Sequence, residues 1–138
     1  MTTAVYLDTS AAAKLLVEES ESASLAAYLD QENVESVACL LLETELRRFA
    51  VRNAIPQSQV TAILDNVSLF DMPRSLYYAA GILPGQHLRS LDALHLAAAA
   101  RLGTEFLITY DIRMQELAAE LGLNVLAIPS RSESGSAG

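Results

Sequence analysis

Short apolar runs alternate with longer helical segments along this chain, and this alternation restricts the possible folds more than any other feature. The apolar runs are AVYL (4–7), VESVA (34–38), VSLFDM (67–72), EFLITY (105–110) and NVLAI (124–128). Strands buried on both faces read as apolar runs, and intervening helices provide the crossovers that parallel strands need. The sequence therefore predicts an α/β fold with three α/β/α layers and a central, mostly parallel sheet.

The segments between these runs carry clear helix boundaries. The possible N-caps directly after AVYL are Asp8, Thr9 and Ser10, and Pro56 ends the long amphipathic segment LLLETELRRFAVRNA. SLDALHLAAAARLG is predicted to be a helix that Ser90 caps and Gly103 ends. A further helix is expected to begin near Ser20. NVLAI is then the last strand of the domain.

The length and composition indicate one domain. The chain has 138 residues, of which 51% are hydrophobic, and this suffices for a single core. We expect a domain over 1–129 and a disordered polar tail over 130–138. No apolar run reaches the roughly 18 residues of a membrane span, and MTTAVYLD lacks the features of a signal peptide. A cytoplasmic location is therefore expected, with no membrane contact.

The charge balance is unusual for a chain that binds nucleic acid. Nine basic residues against seventeen acidic ones give a net charge of −8, so any phosphate contact must be local. Arg47, Arg48 and Arg52 fall together in ELRRFAVR, and a helix would place Arg48 and Arg52 on one face. These arginines are either phosphate contacts or solvated charges paired with Glu43 and Glu45.

Four carboxylates stand in or beside strongly apolar segments: Asp8, Glu45, Asp92 and Asp111. A carboxylate is costly to bury unless a positive charge compensates it, so several of them suggest one shared cation site. Asp8 and Asp111 directly follow predicted strands, at the edge where parallel sheets bind ligands. Each acid also has a structural explanation, as an N-cap, as a partner of a helix dipole, or as an ion-pair partner of Arg48.

Four segments together resemble a known family. They are YLDTSA (6–11), LETELRR (42–48), LRSLDALHLAAA (88–99) and LITYD (107–111). They are similar to the signature segments of PIN-domain ribonucleases, and most similar to those of the VapC toxins of bacterial toxin–antitoxin pairs. The likeness runs over 1–129 in the family's order and spacing.

This resemblance implies a metal-dependent endoribonuclease. Asp8, Glu45, Asp92 and Asp111 would be the catalytic acids that bind one or two Mg²⁺ or Mn²⁺ ions, and the metal would activate a water against an RNA phosphodiester. Glu43 is an alternative to Glu45, but ELRR matches the family pattern of Glu-Leu followed by a basic residue.

Supporting residues and a second ion follow from the same resemblance. Ser10 and Thr109 match positions where a hydroxyl orients an acid or a metal-bound water, although both are equally well explained as cap or strand-end residues. The fifth acid of some members is missing, since Arg113 follows Asp111 by two residues. A second metal ion is therefore an open question.

The resemblance also implies partners. These are a cognate antitoxin, an RNA substrate and a second copy of the chain in a homodimer. The antitoxin's C-terminal segment would lie along apolar helices and reach the acidic pocket with a basic side chain. LLVEES, SLAAYL and ACLLL offer the apolar surface, unless they all pack internally. Arg89, with the three arginines of ELRRFAVR, is a candidate RNA contact.

Two other functions are compatible with parts of the pattern. A non-catalytic PIN-like module that binds RNA or protein would keep the fold without turnover. A receiver-type phosphoacceptor domain also gathers acids at strand ends, but it usually needs a lysine after its last strand, and NVLAIPS has none. His95 lies one turn after Asp92, an Asp-x-x-His arrangement that is either a metal-binding pair or, as we expect, an acid beside a hydrogen-bonded core histidine. We expect Cys39 to be a small buried residue.

Overall fold

The computed structural model describes residues 1–130 and contains a sheet of four parallel strands. The strands are β1 (Thr3–Leu7), β2 (Val34–Cys39), β3 (Ser68–Phe70) and β4 (Phe106–Ile108). Their spatial order is β3-β2-β1-β4, and each neighbouring pair is parallel. From β1, the chain adds β2 and β3 on one side of this strand. It then crosses to the opposite side of β1, where it forms β4. The gap between β1 and β4 is therefore the topological switch point of the sheet, where open α/β folds bind ligands.

Helices cover both faces of this sheet. They are α1 (Thr9–Ala13), α2 (Ser22–Leu29), α3 (Leu41–Arg52), α4 (Gln57–Leu64), α5 (Arg74–Gly81), α6 (Ser90–Leu102) and α7 (Ile112–Glu120). Successive residues of β1 enter two separate apolar clusters, Tyr6 in one and Val5 with Leu7 in the other. Since side chains alternate across a strand, the sheet is buried on both sides. The predicted three-layer α/β/α fold is confirmed.

Most of helix α6 is buried in the core. Its residues from Ala93 to Ala99 are all buried, so the helix passes through the core and does not lie on it. Gly103 ends it in the left-handed conformation, with φ 64°, as the sequence predicted. Its first turn, which carries Asp92, consequently opens at the rim of the core.

Several predicted boundaries differ from the structure. The segment NVLAI is not a strand, because it pairs with the sheet only at Val125, opposite Leu107 of the short strand β4. Ser90 is the first helical residue of α6 and makes no capping bond, since Arg89 takes the N-cap position. Helix α2 begins at Ser22.

The first residue of the predicted tail belongs to the folded part of the chain. Ser130, which the sequence assigned to the tail, is buried at 5% exposure. The rest of the predicted disordered tail, 131–138, lies outside the described residues. Among residues 1–130, no helix has the length and apolar character needed to cross a bilayer.

Candidate active site

The candidate site lies at the carboxyl edge of β1 and β4, on both sides of the switch point. Asp8 follows β1 directly and caps α1 by accepting a hydrogen bond from the Ala11 amide. Asp111 caps α7, where its Oδ1 accepts from the amides of Arg113 and Met114 at 2.9 and 3.4 Å. The structural explanation of both acids as N-caps is therefore correct. It is compatible with a second role, because a cap bond occupies only part of a carboxylate.

Asp8 is the most tightly held of the four acids. Its Oδ1 accepts from the Ser10 hydroxyl at 2.7 Å and from the Ala11 amide at 3.0 Å, and its Oδ2 accepts from the Thr109 hydroxyl. The residue is only 4% exposed. Burial raises the pKa of the Asp8 carboxyl above its ordinary value, although the bonds from Thr109, Ala11 and Ser10 oppose this.

The hydroxyls of Ser10 and Thr109 also join the two loops that carry the acids. The Ser10 Oγ accepts from the Tyr110 amide at 2.9 Å and lies 3.2 Å from the Thr109 Oγ1. The Thr109 Oγ1 in turn accepts from the Asp111 amide at 3.2 Å. The two side chains that the sequence marked as supporting therefore fix the loop after β1 against the loop after β4.

Glu45 reaches the same edge from α3. Its Oε1 accepts from the Thr9 hydroxyl at 2.7 Å and lies 2.6 Å from the His95 Nε2. Burial by itself would raise the pKa of Glu45, but the bonds to His95 and Thr9 and the charge of His95 lower it. Glu43 faces another way and pairs with Arg47 at 3.0 Å. Of the two candidate acids, Glu45 is the one that contacts residues beside Asp8.

Asp92 differs from Asp8 and Glu45 because burial and neighbouring charges, and not hydrogen bonds, shift the pKa of its carboxyl. Burial raises the pKa of its carboxyl first, and the negative charges of Asp111, Asp8 and Glu45 raise it further. Coulomb interaction weakens with distance and with screening, so this effect requires the other three carboxylates to be nearby. The structure thus brings all four acids predicted from the sequence into one electrostatic neighbourhood.

The four acids do not form a closed metal cage. Within residues 1–130, no three His, Cys, Asp or Glu side chains are already gathered in a group that could hold a metal ion. Mg²⁺ typically keeps several waters and binds through one or two carboxylates, so a preformed cage is not a requirement. The oxygen donors suit a hard divalent cation, and the mutual repulsion felt by Asp92 is what such a cation would relieve.

A second hydrogen-bonded group was not predicted as part of the site. His95 is 2% exposed, and its Nδ1 lies 2.8 Å from the Tyr6 hydroxyl, which also accepts from the Cys39 amide at 3.2 Å. His95 is therefore the predicted hydrogen-bonded core residue, and Cys39 is buried as expected. The sequence analysis missed the contacts of Thr9 and His95 with Glu45. The one-turn spacing from Asp92 to His95 was the only sequence signal for them.

The titration of His95 follows from these contacts. Burial would lower the pKa of His95, but its hydrogen bonds to Cys39 and Glu45, together with their negative charge, raise it to about 9. An imidazolium that is held in this way compensates part of the negative charge of the site. The ion pair that the sequence offered for Glu45 therefore forms with His95 and not with Arg48.

The arginines proposed as RNA contacts fall into two groups. Arg47 pairs with Glu43 and hydrogen-bonds to Gln57 and Thr61, so it links α3 to α4. The other three are exposed: Arg48, Arg52 and Arg89. Arg89 stands at the N-cap of α6, three positions before Asp92.

Comparison with known proteins agrees with this geometry. A model of the PIN domain family matches residues 5–120. The chain is 38% identical over 130 residues to Ribonuclease VapC35 of Mycobacterium tuberculosis, with 89% of this chain and 96% of that protein covered. The resemblance found in the four sequence segments is thereby confirmed.

Solved structures of low sequence identity share the fold. VapC20 of Mycobacterium tuberculosis, described as a sarcin–ricin loop cleaving toxin, has a TM-score of 0.68 at 15% identity, with 81% of this chain and 93% of that chain covered. VapBC2 from Rickettsia felis, bound to a promoter DNA fragment, has a TM-score of 0.69 at 15% identity, with coverages of 90% and 98%. These structures show the fold alone. The family model and the relative that is 38% identical over most of the chain show that this chain belongs to the PIN-domain family, among the VapC ribonucleases.

Proposed function

We propose that this chain is an endoribonuclease toxin that works with Mg²⁺ or Mn²⁺ and is neutralised by a cognate VapB-type antitoxin. Ribonucleases with PIN domains generally depend on divalent metal ions. The observation that carries the proposal is the hydrogen bonding that joins the acids at the switch point, where Thr109 bonds to both Asp8 and the Asp111 amide and Thr9 bonds to Glu45. Burial, followed by the charges of Asp111, Asp8 and Glu45, raises the pKa of Asp92 at the same place. Like charges are gathered at a switch point only at a cost in free energy, and a bound cation repays that cost.

Each of the four acids would have its own role in binding the cation. Asp8 and Glu45 are fixed by hydroxyl and imidazole donors, so they are prepared to bind a cation without moving. Asp111, after β4, and Asp92, in the first turn of α6, would complete the set of oxygen ligands. When bound, the cation would polarise a scissile phosphate and lower the pKa of an attacking water. No side-chain nucleophile is needed.

The RNA contacts are proposed for the exposed arginines. Arg48 and Arg52 on α3 and Arg89 beside Asp92 are free to reach phosphates that flank the site. Arg47 is a weaker candidate, because its side chain is already bound to Glu43, Gln57 and Thr61. Since the whole chain carries a net charge of −8, these local charges and the cation would have to overcome its general repulsion of RNA.

A groove offers a docking surface for the antitoxin. It has a volume of about 540 Å³ and lies between α2 and α4, with β1 and β2 as its floor. The apolar side chains Leu15, Ala26, Leu29 and Ile63 line it. Leu7, the residue before Asp8, is part of the floor, so an extended segment in the groove could continue to the acids.

Two further features belong to the same proposal. A homodimer is supported by exposed apolar side chains on α5, where Tyr77, Tyr78 and Ile82 are 49%, 71% and 66% exposed. The segments that the sequence offered as apolar surface for the antitoxin are buried only in part, since Leu25 is buried whereas Ala26 and Leu29 line the groove. A cytoplasmic location follows from the proposed substrate, because cellular RNA is found there.

The proposal is tested by measuring RNA cleavage by two matched variants. Glu45→Gln removes one charge from the acid that contacts Thr9 and His95, and Glu43→Gln removes one charge two positions away. We expect Glu45→Gln to lower the Mn²⁺-dependent cleavage rate on the order of 100-fold. Glu43→Gln should cleave as the wild type does, because Glu43 pairs with Arg47 outside the site.

The same assay includes EDTA and the variants Asp8→Asn and Asp92→Asn. Cleavage that survives EDTA and both substitutions would exclude the metal-dependent mechanism. Binding of RNA by the wild type without any cleavage would favour the non-catalytic module instead.

A further inference from the structure

His95 is placed where it controls one of the acids without being able to meet the substrate. It is 2% exposed and lies inside α6, one turn after Asp92. Its Nε2 approaches the Oε1 of Glu45 to 2.6 Å across the gap between α6 and α3. An ordinary core histidine needs a partner for its ring nitrogens, but nothing requires that partner to be an acid at the ligand-binding edge of the sheet.

The hydrogen-bond chemistry fixes the orientation of this ring. An ionised carboxylate can only accept, so the Nε2 must carry a proton and donate it to Glu45. The Nδ1 lies 2.8 Å from the Tyr6 hydroxyl. That hydroxyl accepts from the Cys39 amide at 3.2 Å, which ties it to the backbone at the end of β2. The Tyr6 ring also meets the imidazole edge-on, with an interplanar angle of 71°. Core residues therefore hold the Nδ1 end of the imidazole, and its Nε2 end is directed at Glu45.

The carboxylate of Glu45 is in turn held at one oxygen. The Thr9 hydroxyl and the His95 Nε2 both bind to Oε1, at 2.7 and 2.6 Å. Both of these bonds are to Oε1, so they leave Oε2 available to a cation. A free glutamate side chain has three rotatable bonds, and two charge-assisted or polar bonds to the same oxygen remove most of that freedom.

We propose that His95 is a positioning residue that holds Glu45 for the divalent cation, with Tyr6 and Cys39 orienting its ring from the core. This inference rests on the proposed function and deepens it. It assigns a specific task to a residue outside the acidic quartet. Groups that orient metal-binding side chains in this way typically change metal affinity by roughly 10–100-fold when they are removed.

The test is Mn²⁺ binding to the full chain, measured by electron paramagnetic resonance of the free ion, beside RNA cleavage. His95→Leu removes the donor and keeps an apolar side chain in the core, and we expect roughly tenfold weaker Mn²⁺ binding and slower cleavage. His95→Gln carries an amide donor near the place of Nε2 and should restore affinity to within about threefold of the wild type. A purely structural role would not be rescued in this way.

A double-variant comparison makes the assignment specific. In a Glu45→Gln background, His95→Leu should cause no further loss of Mn²⁺ affinity, because its effect acts through Glu45. Tyr6→Phe removes a single hydroxyl and should weaken Mn²⁺ binding several-fold. It replaces His95→Leu as the test variant if His95→Leu does not fold. Circular dichroism reports whether each variant is folded.

The outcomes separate the two proposals. If the wild type binds Mn²⁺ and cleaves RNA but folded His95→Leu binds as tightly as the wild type, the positioning role is overturned and the proposed function stands. Unchanged affinity in Tyr6→Phe overturns the role if His95→Leu is unfolded. If the wild type neither binds Mn²⁺ nor cleaves RNA, both proposals fail together.

Discussion

At the scale of single residues, the four acids differ in how burial and hydrogen bonding are balanced. Asp8 accepts bonds at both oxygens, and Glu45 has a cationic partner, so the site holds these two in place. For Asp92, burial and the negative charges of the other three acids raise the pKa of the carboxyl. The sequence singled out these four acids as candidates because each stands in or beside an apolar segment, and the family pattern favoured Glu45 over Glu43. It could not identify Thr9 or His95, because a hydroxyl after a strand and a histidine in an apolar helix are common in any core.

The raised pKa of Asp92 predicts that Asp92→Asn stabilises the metal-free protein. A carboxyl whose pKa is higher in the folded than in the unfolded state binds its proton more tightly when folded. Stability is therefore lost as the pH rises from the ordinary pKa through the raised one. We expect Asp92→Asn to raise the melting temperature at pH 7 in EDTA by about 2–4 °C and to flatten its decline with pH.

Differential scanning calorimetry across pH 4–8 measures this effect. Glu43→Gln is the control, because it removes an exposed charge that pairs with Arg47 and should change the melting temperature little. A lower melting temperature for Asp92→Asn than for Glu43→Gln would contradict the prediction.

At the scale of helices and strands, the sequence predicted most boundaries that depend on local chemistry. Gly103 ends α6 as expected, since its backbone requirement acts within one turn. Pro56, which was expected to end α3, instead takes the N-cap position of α4, and α3 has already ended at Arg52. The prediction for NVLAI was wrong because pairing depends on the neighbouring strand. Strand β4 has only three residues, and Leu107 bonds to Asn124 and Leu126 at a single bridge. An apolar run alone does not show whether a partner edge is available.

Helix termination at Gly103 gives a prediction for stability. Gly103 has φ 64°, and a Cβ built there meets no atom within 4 Å, so only backbone strain opposes a side chain. We expect Gly103→Ala to lower the free energy of unfolding by about 1–2 kcal/mol. Gly81→Ala is the matched control, because Gly81 closes α5, its φ is not in the left-handed region, and it has the same open surroundings. It should be neutral or slightly stabilising. Urea denaturation followed by circular dichroism measures both, and equal losses for the two variants would contradict the prediction.

At the scale of the whole molecule, strand order explains why distant acids converge. The sequence predicted that Asp8 and Asp111 share a sheet edge, because both follow parallel strands. The order β3-β2-β1-β4 adds that they flank the switch point. Glu45 and Asp92 reach the same edge only because α3 and α6 pack there. No local sequence pattern specifies that packing. Helix packing is set by the core as a whole, and this part of the site therefore needed the structure.

The charge of the whole molecule governs how it meets a basic partner. With a net charge of −8, the chain should attract the basic segment of its antitoxin over several ångströms before contact is made. Salt screens such attraction, since the Debye length falls from about 10 Å at 0.1 M to about 3 Å at 1 M. We therefore expect the association rate of a VapB-type antitoxin to fall roughly tenfold or more between these salt concentrations, with a much smaller change in dissociation rate. Stopped-flow measurements give both rates.

An antitoxin whose basic residues are replaced by glutamine is the control, because it keeps the apolar contacts with the groove between α2 and α4 and should associate slowly at every salt concentration. An association rate that does not depend on salt would mean that apolar docking alone, and not the acidic body, brings the partners together.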